Sequence, residues 1–137
     1  MPSPTRLFLL AFFLLPSLCG CGGGAGNVSG SVEYNGKPVK VGEVNFYGAD
    51  GVPHGAKVDS DGKYAIKGVP TGKCKVVVIA LNPKDLPSGI RDGKRIGPDE
   101  ADVKNWQALP KKYEDLATSG LEFDVKSGDN TIPISLK

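Results

Sequence analysis

The most reactive side chains in this 137-residue sequence are three cysteines and a single histidine. Cys19 and Cys21 stand one residue apart in the stretch LPSLCGCGGG, whereas His54 and Cys74 stand alone further along the chain. A disulfide between the paired cysteines would close a very small ring, and disulfide geometry tolerates such strain poorly. Zinc catalysis needs about three protein ligands, more than the other two residues supply. We therefore interpret one member of the pair as a site of modification and the other as incidental.

The residues before the cysteine pair have the three-part pattern of a secretory signal peptide. Arg6 supplies a positive charge near the start, an apolar run extends from Leu7 to Leu15, and Pro16 follows that run. As a membrane-spanning helix, residues 7–18 are too short, because they would rise only about 18 Å against a hydrocarbon core of about 30 Å. The pattern predicts that the chain is exported.

The stretch LCGC, which ends at Cys21, resembles the lipobox of bacterial lipoproteins. An aliphatic residue stands three positions before Cys21 and a small residue directly before it, whereas Cys19 follows the bulky Leu18. The resemblance implies a diacylglyceryl thioether on Cys21, cleavage before it and loss of Cys19 with the signal peptide. Two or three acyl chains, at about 0.8 kcal/mol per buried methylene, anchor a protein stably in the lipid bilayer. An ordinary signal peptide followed by a glycine-rich stretch is the alternative.

Three regions follow from this interpretation. Residues 1–20 are a lipoprotein signal peptide, residues 21–27 are the lipidated cysteine with a flexible glycine-rich tether, and residues 28–137 are one domain. Because Gly22 and not aspartate follows the cysteine, the resemblance implies sorting to the outer membrane if the envelope is Gram-negative. Loss of Arg6 lowers the formal net charge from +2 to +1, so no nucleic-acid partner is expected.

Short β-rich runs alternate with turn signals along the domain, which is typical of an all-β sandwich. Asn35 and Gly36 predict a two-residue hairpin, because both positions of a type I′ turn need positive φ. A second tight turn is predicted at DSDG (residues 59–62), and a last hairpin around a Gly-Asp turn within residues 121–137. The apolar run KCKVVVIAL (residues 73–81) predicts a buried central strand. The total is about seven antiparallel strands.

One long loop, residues 82–112, interrupts this alternation of strands and turns. Loops of such length inside a domain are uncommon and are either functional or have structure of their own. The stretch PDEADVKNWQAL (residues 98–109) predicts one short helix with a proline and acidic residues in its first turn. Trp106 and Leu109 would share one face of that helix.

Three stretches of the domain together point to a known family: GSVEYNGKPVKVGEVNFY, DSDGKYAIKGVPTGKCKVVV and LPKKYEDLATSGLEFDVKSGDNTIPISL. They resemble the carboxypeptidase regulatory-like domain, a Greek-key β-sandwich of the transthyretin type, and more narrowly the small bacterial lipoproteins built from one such domain. The likeness covers most of residues 30–136 apart from 82–108. An aromatic or apolar residue often fills the place of Cys74 in that family. Since Cys74 alternates with Val76 and Val78, we expect a buried small hydrophobe there.

No catalytic residue, cofactor or metal site is predicted. A hydrolase would have to be centred on His54, which lies in a turn-like stretch, and the sequence has no G-x-S-x-G elbow. The transthyretin-like hydrolases of purine breakdown end in a Tyr-Arg-Gly-Ser tail and use several histidines, whereas this chain ends in ISLK. Asp59 and Asp61 could ligate calcium, but an EF-hand-type loop needs more carboxylates, so a turn is expected.

Two aromatic residues of the long loop are candidate ligand contacts. Trp106, the only tryptophan, is either an exposed platform for stacking a sugar, with Tyr113 nearby, or a hydrophobic plug that fastens the loop to the sandwich. The first alternative would make the protein a carbohydrate-binding accessory module. The main hypothesis is a monomeric, membrane-anchored, non-enzymatic binding or scaffold module of the bacterial cell envelope, with an unidentified envelope protein or glycan as its partner.

The two cysteines of the lipobox are distinguished by single substitutions. We expect Cys21→Ala to leave an unprocessed precursor, because the lipoprotein peptidase acts only after the sulfur has been alkylated. Cys19→Ala is the control and should be processed normally, since that residue leaves with the signal peptide. Mass spectrometry of the N-terminal peptide should show a diacylglyceryl adduct on Cys21. An unmodified N-terminus on the processed wild-type protein would contradict the prediction.

Overall fold

The computed structural model describes residues 23–137 of the chain, which form an all-β sandwich with one short helix. The helix is α1 (Glu100–Asn105), and there are two short 3₁₀ turns, Pro83–Asp85 and Lys111–Glu114. The strands are β1 (Ala25–Tyr34), β2 (Lys37–Pro38), β3 (Glu43–Tyr47), β4 (Pro53–Lys57), β5 (Lys63–Pro70), β6 (Gly72–Ile79), β7 (Gly89–Arg91), β8 (Lys94–Ile96), β9 (Leu121–Val125), β10 (Gly128–Thr131) and β11 (Ile134–Leu136).

Strand β1 is the centre of the first sheet, because it pairs with other strands along both edges. On one edge, β5 runs antiparallel to it, with Ser31 opposite Lys63, and the short β2 pairs with its last residues. On the other edge, β10 and β11 run parallel to β1, with Val32 opposite Ile134. These two parallel pairings were not expected from the sequence, which predicted antiparallel strands.

The turn after β1 confirms the predicted hairpin. Asn35 and Gly36 both have positive φ, 51° and 76°, and Tyr34 lies opposite Lys37 across the turn. Asparagine and glycine adopt this left-handed backbone at less cost than other residues, so this dipeptide fixes the turn.

The second sheet has the strand order β4, β3, β6, β9, and all its pairings are antiparallel. Strand β6 lies between β3 and β9, with Val76 opposite both Phe46 and Leu121. The apolar run that includes β6 is therefore a central strand, as predicted.

The inward side chains of the two sheets form one core. Residues alternate between buried and exposed along β1, β5 and β9, because successive side chains of a strand point to opposite faces. Each fully buried valine or leucine contributes about 1.5 to 3 kcal/mol relative to an exposed one. The most buried core side chains include Val28, Val32, Tyr64, Ile134 and Leu136 from the first sheet and Val44, Phe46, Cys74, Val76 and Val78 from the second.

The predicted hairpin within residues 121–137 is wrong, because the chain crosses here from one sheet to the other. Strand β9 pairs with β6, whereas β10 and β11 pair with β1. The side-chain oxygen of Asn130 accepts the N–H of Lys126 at 2.9 Å, and its amide donates to the carbonyl oxygens of Lys126 at 2.7 Å and of Asn27 at 3.1 Å. These bonds satisfy the backbone of the turn and tie it to β1.

The tight turn predicted at residues 59–62 is present, although the strands on its two sides join different sheets. The carboxylate of Asp59 accepts the backbone N–H groups of Asp61 at 2.9 Å and Lys63 at 2.8 Å, and Gly62 has a φ of 79°. This carboxylate therefore holds the turn, in the way that aspartate commonly does.

Strand β1 begins at Ala25, so residues 25–27, predicted to be tether, lie in the sheet. The carbonyl oxygen of Gly24 also accepts the N–H of Thr71 at 3.0 Å. The small residues at this point have paired strands on both sides, which composition alone does not reveal. Cys21 and the predicted signal peptide lie outside the described residues.

The strand count agrees with the prediction of about seven. Strands β10 and β11 follow the same edge of β1 and count as one strand interrupted at Ile132 and Pro133. With the two-residue β2 and the separate β7 and β8 hairpin set aside, residues 23–137 contribute seven strands to the sandwich.

The two ends of the sandwich differ in which strands begin and end there. At the N-terminal end, β1 begins at Ala25 and β6 begins at Gly72. The hydrogen bond between Gly24 and Thr71 joins the chain just before these two strands. The loop end is the opposite one, where β3 begins with Glu43 and β6 ends with Ile79.

Gly30 allows β1 to lie close to its parallel neighbour. A Cβ atom at this position would collide with the backbone carbonyl of Ile132, and the ring of Tyr64 lies nearby. We expect Gly30→Ala to lower the free energy of unfolding by about 2 kcal/mol, as other overpacking substitutions do.

Gly89→Ala is the matched control, because a Cβ atom there meets nothing within 4 Å and the backbone is not left-handed. Chemical denaturation of both variants measures the difference. Equal stability of the two variants would contradict the described packing of β1.

Candidate functional site

The long segment between β6 and β9 leaves and re-enters the sandwich at the loop end. It is attached there by the buried side chains of Pro83, Leu109 and Tyr113. Since burial of these residues removes apolar surface from water, the two flanks of the segment are held against the core. Residues 86–98, which lie between the flanks, are mostly exposed.

Trp106 is half-buried, and its indole N–H donates a hydrogen bond of 2.9 Å to the carbonyl oxygen of Ala80, just beyond β6. This contact matches the plug alternative, because the indole joins the long segment to the end of the second sheet. The polar atom of the ring is thereby used within the protein.

Tyr113 is buried, and its hydroxyl group bonds to the backbone of Lys137. It donates to the carbonyl oxygen of Lys137 at 2.7 Å and accepts the N–H of that residue at 2.9 Å. Desolvation alone would raise the pKa of Tyr113, but the backbone hydrogen bond to Lys137 and the cation of Lys112 together outweigh it, so that the pKa is lowered. Trp106 is thus bonded to the end of the second sheet, and Tyr113 is bonded to the end of the first sheet.

The predicted helix is present but shorter than expected. It covers Glu100–Asn105 instead of residues 98–109, and the backbone N–H of Asp99 bonds to the carboxylate of Asp102 at 3.3 Å at its start. The helix ends before Trp106, whose backbone is extended. Because the indole bonds to Ala80 and Leu109 enters the core, the chain has to leave the helical path at this point.

A β-hairpin that was not predicted projects from the long segment. Strands β7 and β8 pair with each other, and every one of their residues is exposed, Ile90 to 81 %. Asp92 and Gly93 at its tip have positive φ, 51° and 73°. The Asp-Gly dipeptide is the same kind of turn signal as Asn35-Gly36 and could have identified this hairpin.

A groove of about 540 Å³ lies between the loop end of the sandwich and the base of the hairpin. Its apolar lining includes Ile79, Leu81 and Leu86, and charged side chains of both signs lie among the lining residues. This volume is within the range of small-molecule sites. The charged lining residues are Lys40, Glu43, Lys57 and Asp102.

Cys74 is fully buried, as predicted for a small hydrophobe. Its Sγ atom lies 3.4 Å from the carbonyl oxygen of Pro70 and 3.6 Å from that of Gly72. Burial raises the pKa of the Cys74 thiol, and the negative charges of Asp50 and Asp124 raise it further. Because the thiolate is the reactive form, these effects make the sulfur unreactive.

His54 pairs with one carboxylate on the surface. Its Nε2 atom lies 3.0 Å from Oδ2 of Asp50. This hydrogen bond and the backbone N–H of Val52 lower the pKa of Asp50.

Two features of residues 23–137 concern metals and membranes. No group of three or more histidine, cysteine, aspartate or glutamate side chains in this range is arranged to hold a metal ion. None of its helices is long and apolar enough to cross a bilayer.

Comparisons with known proteins give only distant structural similarities. No family model and no curated protein matches the chain. The TIE protein of Bacillus anthracis is 15 % identical with a TM-score of 0.45, and the match covers 83 % of this chain and 17 % of that one. BcpA, the major pilin subunit of Bacillus cereus, is 13 % identical with a TM-score of 0.43, and the match covers 82 % and 29 % respectively. The chain therefore spans less than a third of the length of either protein.

Substitution of Trp106 tests its attachment role. We expect Trp106→Ala to lower the free energy of unfolding by about 2 kcal/mol, because it removes a half-buried ring. Trp106→Phe keeps one aromatic ring but loses the bond to Ala80 and part of the packing, so a smaller decrease of about 1 kcal/mol in the free energy of unfolding is expected. Thermal or chemical denaturation measures both. An unchanged stability in Trp106→Ala would contradict the attachment.

The burial of Cys74 predicts a slow reaction with thiol reagents. In a chain with Cys19→Ser and Cys21→Ser, where Cys74 is the only thiol, the native protein should react about 100-fold more slowly than the denatured protein at pH 8. The denatured sample is the internal control, and the release of a chromogenic thiol reports the rate. Equal rates would place the thiol at the surface.

Proposed function

We propose that this protein is a membrane-anchored, non-enzymatic binding or scaffold module of the bacterial cell envelope. In this proposal the β-sandwich is of the carboxypeptidase regulatory-like, transthyretin type. It is held at the bilayer by acyl chains on Cys21 and presents the long segment 82–112 to a partner.

The proposal rests mainly on the distance between Cys21 and the sandwich. Only Gly22, Gly23 and Gly24 separate that cysteine from β1. A fully extended chain from Cys21 to Ala25 spans at most about 14 Å. A lipid on Cys21 would therefore hold the N-terminal end of the sandwich at the bilayer surface.

The same geometry directs the loop end away from the bilayer. Strand β6, from Gly72 to Ile79, connects the two ends of the sandwich and has a length of about 26 Å at 3.3 Å per residue. The long segment begins directly beyond it. An anchored domain of this kind therefore presents the segment to other molecules of the envelope.

The reactive residues of the described range support a binding role over catalysis. The Cys74 thiol is buried among core residues, and the hydrogen bonds of His54 within residues 23–137 include no serine, threonine or cysteine side chain that it could activate. The sugar-binding alternative receives less support than the scaffold role, because the indole N–H of Trp106 is bonded to Ala80 and Tyr113 is buried.

Energy transfer to labelled lipids tests the anchor and the orientation together. A donor dye is attached to Val52→Cys at the N-terminal end or to Ile90→Cys on the hairpin, two positions that are 51 % and 81 % exposed. Both variants also contain Cys74→Ala, and the processed protein is reconstituted in vesicles that contain an acceptor lipid. We expect strong transfer from position 52 and weaker transfer from position 90.

The control is a Cys21→Ser chain without residues 1–20, which has neither the apolar signal peptide nor a lipid and should not associate with the vesicles. Equal transfer from the two positions would contradict the orientation. Vesicle association of this control chain would contradict the lipid anchor.

A further inference from the structure

Four large aliphatic side chains of the loop end and its hairpin are exposed, and two of them, Leu81 and Leu86, line the same groove. Leu81 is 60 % exposed, Leu86 40 %, Ile90 81 % and Ile96 41 %. They are four of the six large hydrophobic residues that are exposed in residues 23–137, and all four lie within sixteen positions of the chain. Exposed apolar patches on a surface commonly mark interaction sites.

The hairpin next to these residues is positively charged. Arg91, Lys94 and Arg95 outnumber the single carboxylate, Asp92, which gives β7, β8 and their turn a net charge of +2. Since residues 23–137 have a net charge of +1, the remainder of the described chain is at −1. The hairpin therefore has a local excess of positive charge, whereas the charged residues that line the groove, Lys40, Lys57, Glu43 and Asp102, balance one another.

The hairpin also has backbone groups available for pairing. Within residues 23–137, β7 and β8 pair only with each other. Their outer edges present N–H and C=O groups to which an extended segment can add as a further strand.

We propose that the groove and the hairpin together form a docking surface for an extended, acidic segment of a partner protein. Aliphatic side chains of that segment would occupy the groove against Leu81 and Leu86. Its carboxylates would lie against Arg91, Lys94 and Arg95. This inference rests on the proposed binding role and adds to it the surface and the chemistry of the partner.

The shape of the surface favours a polypeptide over an anionic bilayer. The groove is concave and its aliphatic side chains lie at the base of the hairpin, whereas a bilayer would first meet the tip.

Labelled peptides test the recognition directly. The full-length chain in a nonionic detergent is titrated into a fluorescent peptide of alternating glutamate and valine, and fluorescence anisotropy reports binding. We expect saturable binding that weakens as salt is raised, because salt screens exposed ion pairs. A peptide of alternating lysine and valine should not bind. A peptide of alternating glutamate and serine should bind more weakly, because it has no side chain for the groove.

Matched variants locate the site. The triple variant Arg91→Gln, Lys94→Gln, Arg95→Gln should weaken binding about tenfold, since three exposed ion pairs of modest strength are lost. The triple variant Lys67→Gln, Lys75→Gln, Lys126→Gln removes as much charge from exposed positions elsewhere on the sandwich and should change binding less than about twofold.

Leu86→Ser should also weaken binding, whereas Val52→Ser, an exposed aliphatic residue at the N-terminal end, should not. Circular dichroism and thermal unfolding of every variant verify that the fold is retained.

Four results would overturn the inference. They are equal binding of the lysine peptide, no binding of the glutamate and valine peptide, equal loss in the two triple variants, and flotation of the Cys21→Ser chain without residues 1–20 with phosphatidylglycerol vesicles through the hairpin cations. Peptide binding by this chain should equal that of the wild type. A failure of the lipid anchor is therefore distinguishable from a failure of the docking surface.

Discussion

The pairing of β1 along both of its edges is the constraint on which the rest of the structure depends. This strand hydrogen-bonds to β5 and β2 on one side and to β10 and β11 on the other. The parallel pairs join residues about 100 positions apart in sequence, such as Asn27 and Asp129, whose side chains are also bonded at 2.9 Å. Closing a loop of this length has an entropic cost, which burial of the inward side chains of β1 in the core between the sheets offsets.

Two polar side chains form hydrogen bonds with backbone groups of the strands and turns that surround this pairing. The hydroxyl group of Tyr64 donates to the carbonyl oxygen of Ile132 at 2.6 Å, at the interruption between β10 and β11. Burial raises the pKa of Tyr64, so this hydroxyl remains a neutral donor. Asn130 satisfies the backbone where the chain crosses between the sheets. No buried side-chain nitrogen or oxygen among residues 23–137 is left without a partner, as stable interiors require.

Local sequence patterns predicted the elements well and their partners less well. Alternation and turn dipeptides identified the all-β class, the Asn35-Gly36 hairpin, the central strand β6 and the burial of Cys74, because these depend on neighbouring residues. The crossing of residues 121–137 between sheets depends on contacts of Asn130 with β1, which no local pattern contains. The limits of α1 were missed because the contact of Trp106 with Ala80 overrides helical propensity. The long loop was singled out from its length, but the groove that it helps to line was not predicted, since a groove arises only when distant segments meet.

In the long segment, the residues that attach it to the sandwich are different from the residues that it exposes to solvent. Pro83, Trp106, Leu109 and Tyr113 attach its flanks to the two sheets, whereas residues 86–98 contribute little to the core. If the hairpin forms the proposed docking surface, sequence changes there would alter recognition at small cost to folding, whereas changes at the attachment points would mainly lower stability. In evolutionary terms, one sandwich can acquire new partners by variation of a single short stretch, as happens with the recognition loops of other β-sandwich scaffolds.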